Sequence, residues 1–250
     1  MEVPRFQLGS AAIPVVLVGS SPFIGAGQFG AKAFEYQARF VFKPQHVAEV
    51  VRTCVREGFV GLHLLDYPWV VEGVREVQRE YGELVVTATL AAERLTPSSG
   101  LLRLEPVVLM AHAMWVDGAS PEELQRIRER LEEYCDVVGF ATHQPKRLLD
   151  LAAVLPPVVF LPYNAEYPVS RQIADRLVAL RKQRRVAFFA MKPLAAGRLK
   201  PEEAFRFVYK NPAIATAAVG IAELPRDLES LRVAVRIYKE CRGTGRGLLA

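Results

Sequence analysis

Six side chains that could move a proton, or hold or attack a carbonyl compound, stand beside short apolar runs: His63 inside VGLHLL, Asp66 and Tyr67 directly after it, His112 after VVLMA, His143 after VVGFAT, and Lys192 after VAFFAM. An imidazole can give or take a proton near neutral pH. A tyrosine beside a cation can have its pKa lowered into a useful range. A lysine in such a place can bind phosphate or form a Schiff base.

Each residue also has a structural use. His63 lies within its run and can be a satisfied core histidine. His143 precedes Gln144-Pro145 and can serve a helix start. Asp66 can hold the turn that follows it, and Tyr67-Pro68-Trp69 can form an apolar lid. His63, Asp66, His112 and His143 together have the donor types of a zinc-like site. No HxH or HExxH spacing accompanies them, so no metal is expected.

The elements that must position these residues follow from the apolar pattern. Strands are read at Asp136 to Ala141, Val158 to Leu161, Val186 to Ala190 and Ile214 to Val219, each running into a polar tip and then a helix. That rhythm is the βα repeat of a parallel barrel, whose chemistry sits at the carboxyl ends of its strands. Earlier strands are read at Val15 to Val18, Val60 to Leu65, Leu84 to Leu90 and Pro106 to Ala111. Residues 4 to 8 and 13 to 18 flank Gly9-Ser10, which predicts a short N-terminal hairpin leading into the first buried strand. From Gly19 to Gly30 the chain has four glycines in twelve residues, a loop able to approach a ligand closely or to fold tightly on itself. Helices are read from Pro44 to Glu57, before Gly58, and from Pro68 to Tyr81, before Gly82. The short interval between strands three and four leaves a shortened or missing third helix. Ser120-Pro121-Glu122-Glu123 is a capping box, with Leu124, Ile127 and Leu131 as the buried stripe behind it. Leu148, Leu151 and Leu155 repeat the stripe, as do Ile173, Leu177 and Leu180, and then Leu224, Leu228, Leu231 and Val235. The tail from Arg242 to Ala250 reads as loose.

The length of 250 residues suits one (β/α)8 barrel, for which roughly 250 is typical, and a single domain is expected. The formal charge is +5, but the cations are scattered along helices among glutamates and form no aromatic-interleaved stripe, so no nucleic acid partner is expected. Cys54, Cys135 and Cys241 are too widely spaced for a disulfide framework or a cysteine metal cluster. No apolar run reaches the ~18 residues of a membrane span, and a soluble cytoplasmic protein without a membrane partner is expected. Abundant Val, Arg, Glu and Leu lean toward a heat-adapted source.

The segments VGFATHQP from Val138, Tyr163-Asn164, MKPLAAGRL from Met191 and Asn211-Pro212 through Gly220 resemble, in order and spacing, the aldo-keto reductase family. His112 in VLMAH is similar to that family's fourth-strand histidine, and Gly19 to Phe23 to its first strand end. The resemblance covers nearly the whole chain. It implies a (β/α)8 (TIM) barrel that passes a hydride between NADP(H) or NAD(H) and a small carbonyl substrate, using a tetrad of Asp, Tyr, Lys and His. Carried over, it makes His112 the carbonyl orienter, Tyr67 the proton donor, Asp66 its orienting carboxylate and Lys192 the cation. It assigns the cofactor to Gly19, Ser20, Thr142, Asn164, Lys192, Gly197, Arg198, Gly220 and Arg226.

The departures are specific. The family's second-strand Asp falls on His63, and its third-strand Lys falls near Ala88 or Leu90, where there is none. The positions that read the nicotinamide amide fall on Ala141, Thr142 and Phe160, and the ring-stacking aromatic on Met191. Three alternatives stay open: a Schiff-base lyase at Lys192, a metal-assisted enzyme using His112 and His143, and a non-catalytic nucleotide- or phosphate-binding protein.

Overall fold

The computed structural model describes residues 2–184 and 186–243. Strands β1 (Arg5–Leu8) and β2 (Ala11–Pro14) pair antiparallel around the Gly9-Ser10 turn. The barrel strands are β3 (Val16–Gly19), β4 (Gly61–Leu65), β5 (Val85–Thr89), β6 (Val108–Ala111), β7 (Val138–Ala141), β8 (Val158–Pro162), β9 (Ala187–Met191) and β10 (Ile214–Gly220). They close in the order β10-β3-β4-β5-β6-β7-β8-β9, every pair parallel. This is the expected (β/α)8 barrel with its N-terminal hairpin.

The helices are α1 (Lys32–Phe40), α2 (Pro44–Arg56), α3 (Pro68–Tyr81), α4 (Ser99–Leu102), α5 (Ala113–Val116), α6 (Pro121–Glu132), α7 (Pro145–Asp150), α8 (Pro168–Arg184), α9 (Pro201–Lys210) and α10 (Arg226–Arg242). Proline opens α2, α3, α6, α7, α8 and α9. At that position its missing N–H has no helical partner to lose, and its fixed φ already suits the helix. The Ser120–Glu123 capping box forms in both directions. As expected, the third β-to-β crossover has only the single turn α4, capped by the Ser98 hydroxyl.

Two readings need amendment, and one with two alternatives is decided. The stripe at Leu148, Leu151 and Leu155 is not one helix. Helix α7 stops at Asp150, Leu151 turns out of helical space at ψ 41°, and a 3-10 turn covers Ala152–Val154. Pro156-Pro157 then forbids further helix, because neither ring leaves room for it. The Gly-rich stretch folds tightly on itself, one of the two courses open to it. It makes two 3-10 turns, at Ser21–Ile24 and Gly27–Phe29, and runs into α1. The tail from Arg242 begins inside α10, and its remainder beyond Gly243 lies outside the described residues.

Two packed layers hold the scaffold. Between strands and helices lies a continuous apolar core that includes Val51, Leu62, Leu124, Leu161 and Leu231. Fully burying one such side chain contributes about 1.5–3 kcal/mol. Inside the barrel lies a second cluster, with Phe6 and Ile13 of the hairpin, Leu17, Val108, Met110, Val158, Phe189 and Met191. Phe6 meets Phe189 edge-on at 6.0 Å, so the hairpin covers the amino-terminal end of the strands. Among the described residues no helix is long and apolar enough to cross a membrane.

Candidate active site

A cavity of about 490 Å³ opens at the carboxyl ends of the strands. Its floor is apolar, lined by Ala141, Phe160, Met191 and Ala218 of strands β7 to β10. Near the floor, His63 on β4 is almost fully buried, and both ring nitrogens are engaged by hydroxyls on β5: Nδ1 with Thr87 Oγ1 at 3.0 Å and Nε2 with Thr89 Oγ1 at 3.1 Å. Its ring also packs on Phe160, with centroids 4.3 Å apart. Burial with no charged partner drives its pKa down to about 3, so the imidazole is neutral.

His112 caps α5. Its Nδ1 accepts the backbone N–H of Met114 at 3.2 Å, which leaves the ring proton on Nε2, an N–H donor on a residue that lines the cavity. Burial lowers its pKa, and Glu93 and Asp117 pull the other way. His143 stands on the same rim. Asp117 accepts its backbone N–H at 2.8 Å and also accepts the hydroxyl of Thr142, so one carboxylate fixes the tip of β7. Burial lowers the His143 pKa, the positive charge of Lys192 adds to this, and Asp117 opposes it.

Lys192 ends β9 in a left-handed backbone, φ 57°. A residue with a Cβ seldom occupies that region, and it persists where surrounding bonds over-determine it. Here its carbonyl accepts Asn164 Nδ2 and the Ala195 N–H, both at 3.0 Å. Asn164 is itself buried and fixed, its Oδ1 accepting the N–H groups of Glu166 and Tyr167. Burial lowers the Lys192 pKa. Among the described residues no carboxylate lies within ion-pair distance of its amine, and it has no hydrogen-bond partner.

The other cations of the cavity are engaged. Lys32 meets Glu223 at 2.7 Å, Arg198 meets Glu166 at 2.8 Å, and Arg226 meets Glu223 and Asp227, each at 3.0 Å. The corner between β9 and β10, which offers Gly197 and Gly220 as side-chain-free backbone, is therefore close to charge-neutral. At Gly220 a Cβ would stand 3.0 Å from the Pro22 ring, so the glycine lets the first loop lie against the last strand.

Of the residues read from the sequence, Gly19, His112, Lys192, Gly197, Arg198, Gly220 and Arg226 line this cavity. Asp66, Tyr67, Ser20, Thr142 and Asn164 do not. Asp66 is turned into the β5–α4 loop, where it accepts Ser98 N at 2.8 Å and Ser98 Oγ at 2.6 Å and pairs with Arg94 at 2.8 Å. Tyr67 stacks on Trp69 and points its hydroxyl at Glu93, 3.4 Å away. Burial and that carboxylate raise its pKa, the reverse of what a cation would do. Ser20 Oγ accepts Leu65 N at 2.8 Å, tying two strand ends together.

Sequence reasoning placed Gln28 and Phe29 in the Gly-rich loop but missed α1, which adds Lys32 and Tyr36 and completes a strap over the mouth. Its signal was present in the amphipathic run KAFEYQARF, whose Ala33, Tyr36 and Phe40 are buried. Tyr36 Oη donates to Glu223 at 2.8 Å and Arg39 donates to the Ala222 carbonyl at 2.8 Å, fastening α1 to the loop after β10. Among the described residues no group of three or more His, Cys, Asp or Glu is arranged to hold a metal ion.

No family model matches the chain, and no curated protein matches it. Solved structures do. A structure described as a putative aldo-keto reductase from Pseudomonas aeruginosa shares 16% identity over 93% of this chain and 94% of its own, with a TM-score of 0.68. A second structure so described from that organism shares 18% over 93% and 95%, with a TM-score of 0.69. A variant of Gox0644 in complex with NADPH shares 14% over 99% and 97%, with a TM-score of 0.60. Likeness at this level of identity carries the architecture, and in architecture this chain is an aldo-keto reductase-like (β/α)8 barrel.

Proposed function

We propose that the chain is an aldo-keto reductase-like oxidoreductase that reduces a small carbonyl compound with a hydride from NADP(H) or NAD(H). The observation that carries this reading is His112. Its Nδ1 is held by Met114 N–H, so a neutral imidazole offers Nε2–H at the rim of a barrel-mouth cavity, as a carbonyl-orienting group requires.

The residues fit the two ends of a nicotinamide nucleotide unequally. Side-chain-free backbone at Gly197 and Gly220 lets a pyrophosphate approach, but Arg198 and Arg226 beside it would have to leave Glu166, Glu223 and Asp227 to meet its charge. On the floor, Ala141, Phe160 and Met191 offer no group to read the nicotinamide amide, while Thr142 and Asn164 are occupied by Asp117 and the Lys192 loop. An unread amide costs about 1–3 kcal/mol, so affinity in the micromolar range or weaker is expected. The bound nucleotide would supply the hydride. His112 would orient the carbonyl by hydrogen bonding to its oxygen. Lys192 would meet the negative charge developing there and release its proton to it, a role Tyr67 does not reach from its position against Glu93. The apolar floor would keep water from the reacting carbon.

A fluorescence titration with NADPH tests this directly. Saturable quenching or enhancement is expected, and no binding up to millimolar nucleotide would sink the reading.

A further inference from the structure

The barrel places one lysine under backbone strain, above an apolar floor, with no charge partner among the described residues. Lys192 is held left-handed at φ 57° by two hydrogen bonds to its carbonyl, one of them from a buried asparagine. Strain that the fold sustains at a cavity is a reason to ask what the side chain does there. Lys32, Arg198 and Arg226, which share the cavity, are each paired with a carboxylate. Lys192 has no such partner among the described residues. Burial lowers the pKa of this amine, toward the neutral form that is the nucleophile. Two imidazoles, His112 and His143, line the same space.

We propose that Lys192 is a nucleophilic amine that condenses with a small aldehyde or ketone carrying an α-hydrogen, giving a Schiff base and then an enamine. The amine nitrogen attacks the carbonyl carbon, forming the C–N bond while the carbonyl π pair moves to oxygen. The resulting carbinolamine oxygen takes one proton from the nitrogen and one from solvent, relayed by a histidine of the rim, and it leaves as water with the C–O bond pair. The protonated imine then acts as an electron sink. A neutral imidazole removes the α-proton, the C–H pair forms the C=C bond, and the imine π pair settles on nitrogen. No external oxidant or reductant is consumed, so this chemistry goes beyond the reductase reading and needs no nicotinamide.

The test uses the full chain with dihydroxyacetone, and separately pyruvate, in the presence of sodium cyanoborohydride, followed by peptide mass spectrometry. The expected result is a reduced adduct concentrated on the peptide holding Lys192, well above the level on surface lysines. A parallel incubation in D2O, read by proton NMR, is expected to show α-proton exchange that falls at least tenfold in Lys192→Arg and Lys192→Met. The Arg variant keeps the charge but not the nucleophile, and thermal melting establishes that it is folded. Labelling spread evenly over surface lysines, or exchange undiminished in a folded Lys192→Arg variant, would overturn the proposal. NADPH titration of the same preparation separates the two readings. Binding without a Lys192 adduct removes the imine chemistry alone, and an adduct without binding removes the reductase alone.

Discussion

The side-chain amide of Asn164 donates to the backbone carbonyl of Lys192 at 3.0 Å, so the end of β8 sets the backbone from which the cavity's unpaired amine projects. The same side chain accepts two N–H groups of its own loop. Asn164 therefore acts on the site through the main chain of its neighbour and not by touching ligand.

Replacing Asn164 with Ala should destabilise the protein by about 1–3 kcal/mol, because a carbonyl and two N–H groups lose a partner in a largely buried loop. Asn164→Asp keeps the acceptor and loses the donor, and should fall between Ala and wild type. Urea denaturation at pH 7 measures both. Equal stability of all three proteins would show that the loop holds itself.

His63 should make stability fall with acid. Its folded pKa, about 3, lies below the ordinary histidine value near 6.5, so the unfolded chain binds a proton that the folded chain refuses. The contribution is complete above about pH 6.5 and is lost as pH falls toward 3, with a slope of up to ~1.4 kcal/mol per unit. Denaturant midpoints between pH 7 and 4 should decline less steeply in His63→Asn than in wild type. Parallel curves would refute the assignment.

Removal of the His112 imidazole should lower any carbonyl reductase rate by about 10²-fold or more, with little change in nucleotide affinity. His112→Ala loses one capping bond at the four-residue α5, and melting should move only slightly. Full turnover in the variant would exclude the orienting role.

Glu223 gathers Lys32, Tyr36 and Arg226, but the side chains of Lys32 and Arg226 are at least half exposed. Glu223→Ala should therefore cost less than ~1 kcal/mol globally. It should instead speed amide exchange across Ala26 to Tyr36, because the strap loses its fastening while the barrel is untouched. Hydrogen exchange read by mass spectrometry distinguishes this from uniform destabilisation.

Cys54 is fully buried on α2, and burial pushes its thiol up to about 12. It should resist iodoacetamide at pH 8 in the native protein and react only on unfolding. Modification of Cys54 at the rate of the more exposed Cys241 would contradict the packing of α2 on the barrel.

The barrel was legible because its strands are apolar runs with polar tips, and because proline and glycine mark where the helices begin and end. His112 and Lys192 were legible for the same reason, since each directly follows an unbroken apolar run. Asp66 and Tyr67 also follow such a run, yet they serve the neighbouring loop. Nothing in their order along the chain reveals that Ser98 and Arg94 capture the carboxylate, or that Trp69 draws the ring away. The neutralised corner was only half visible. Arg198 looks like a phosphate ligand until Glu166 arrives from the loop after β8, whereas the partners of Arg226, Glu223 and Asp227, stand beside it in the chain.

The hairpin made by β1 and β2 has a consequence for traffic. With Phe6 seated against Phe189 below and apolar side chains filling the space above it, the barrel is a blind vessel. Whatever enters the cavity that Phe29 and Tyr36 help to line has packed side chains beneath it, so entry and exit share the carboxyl end of the strands.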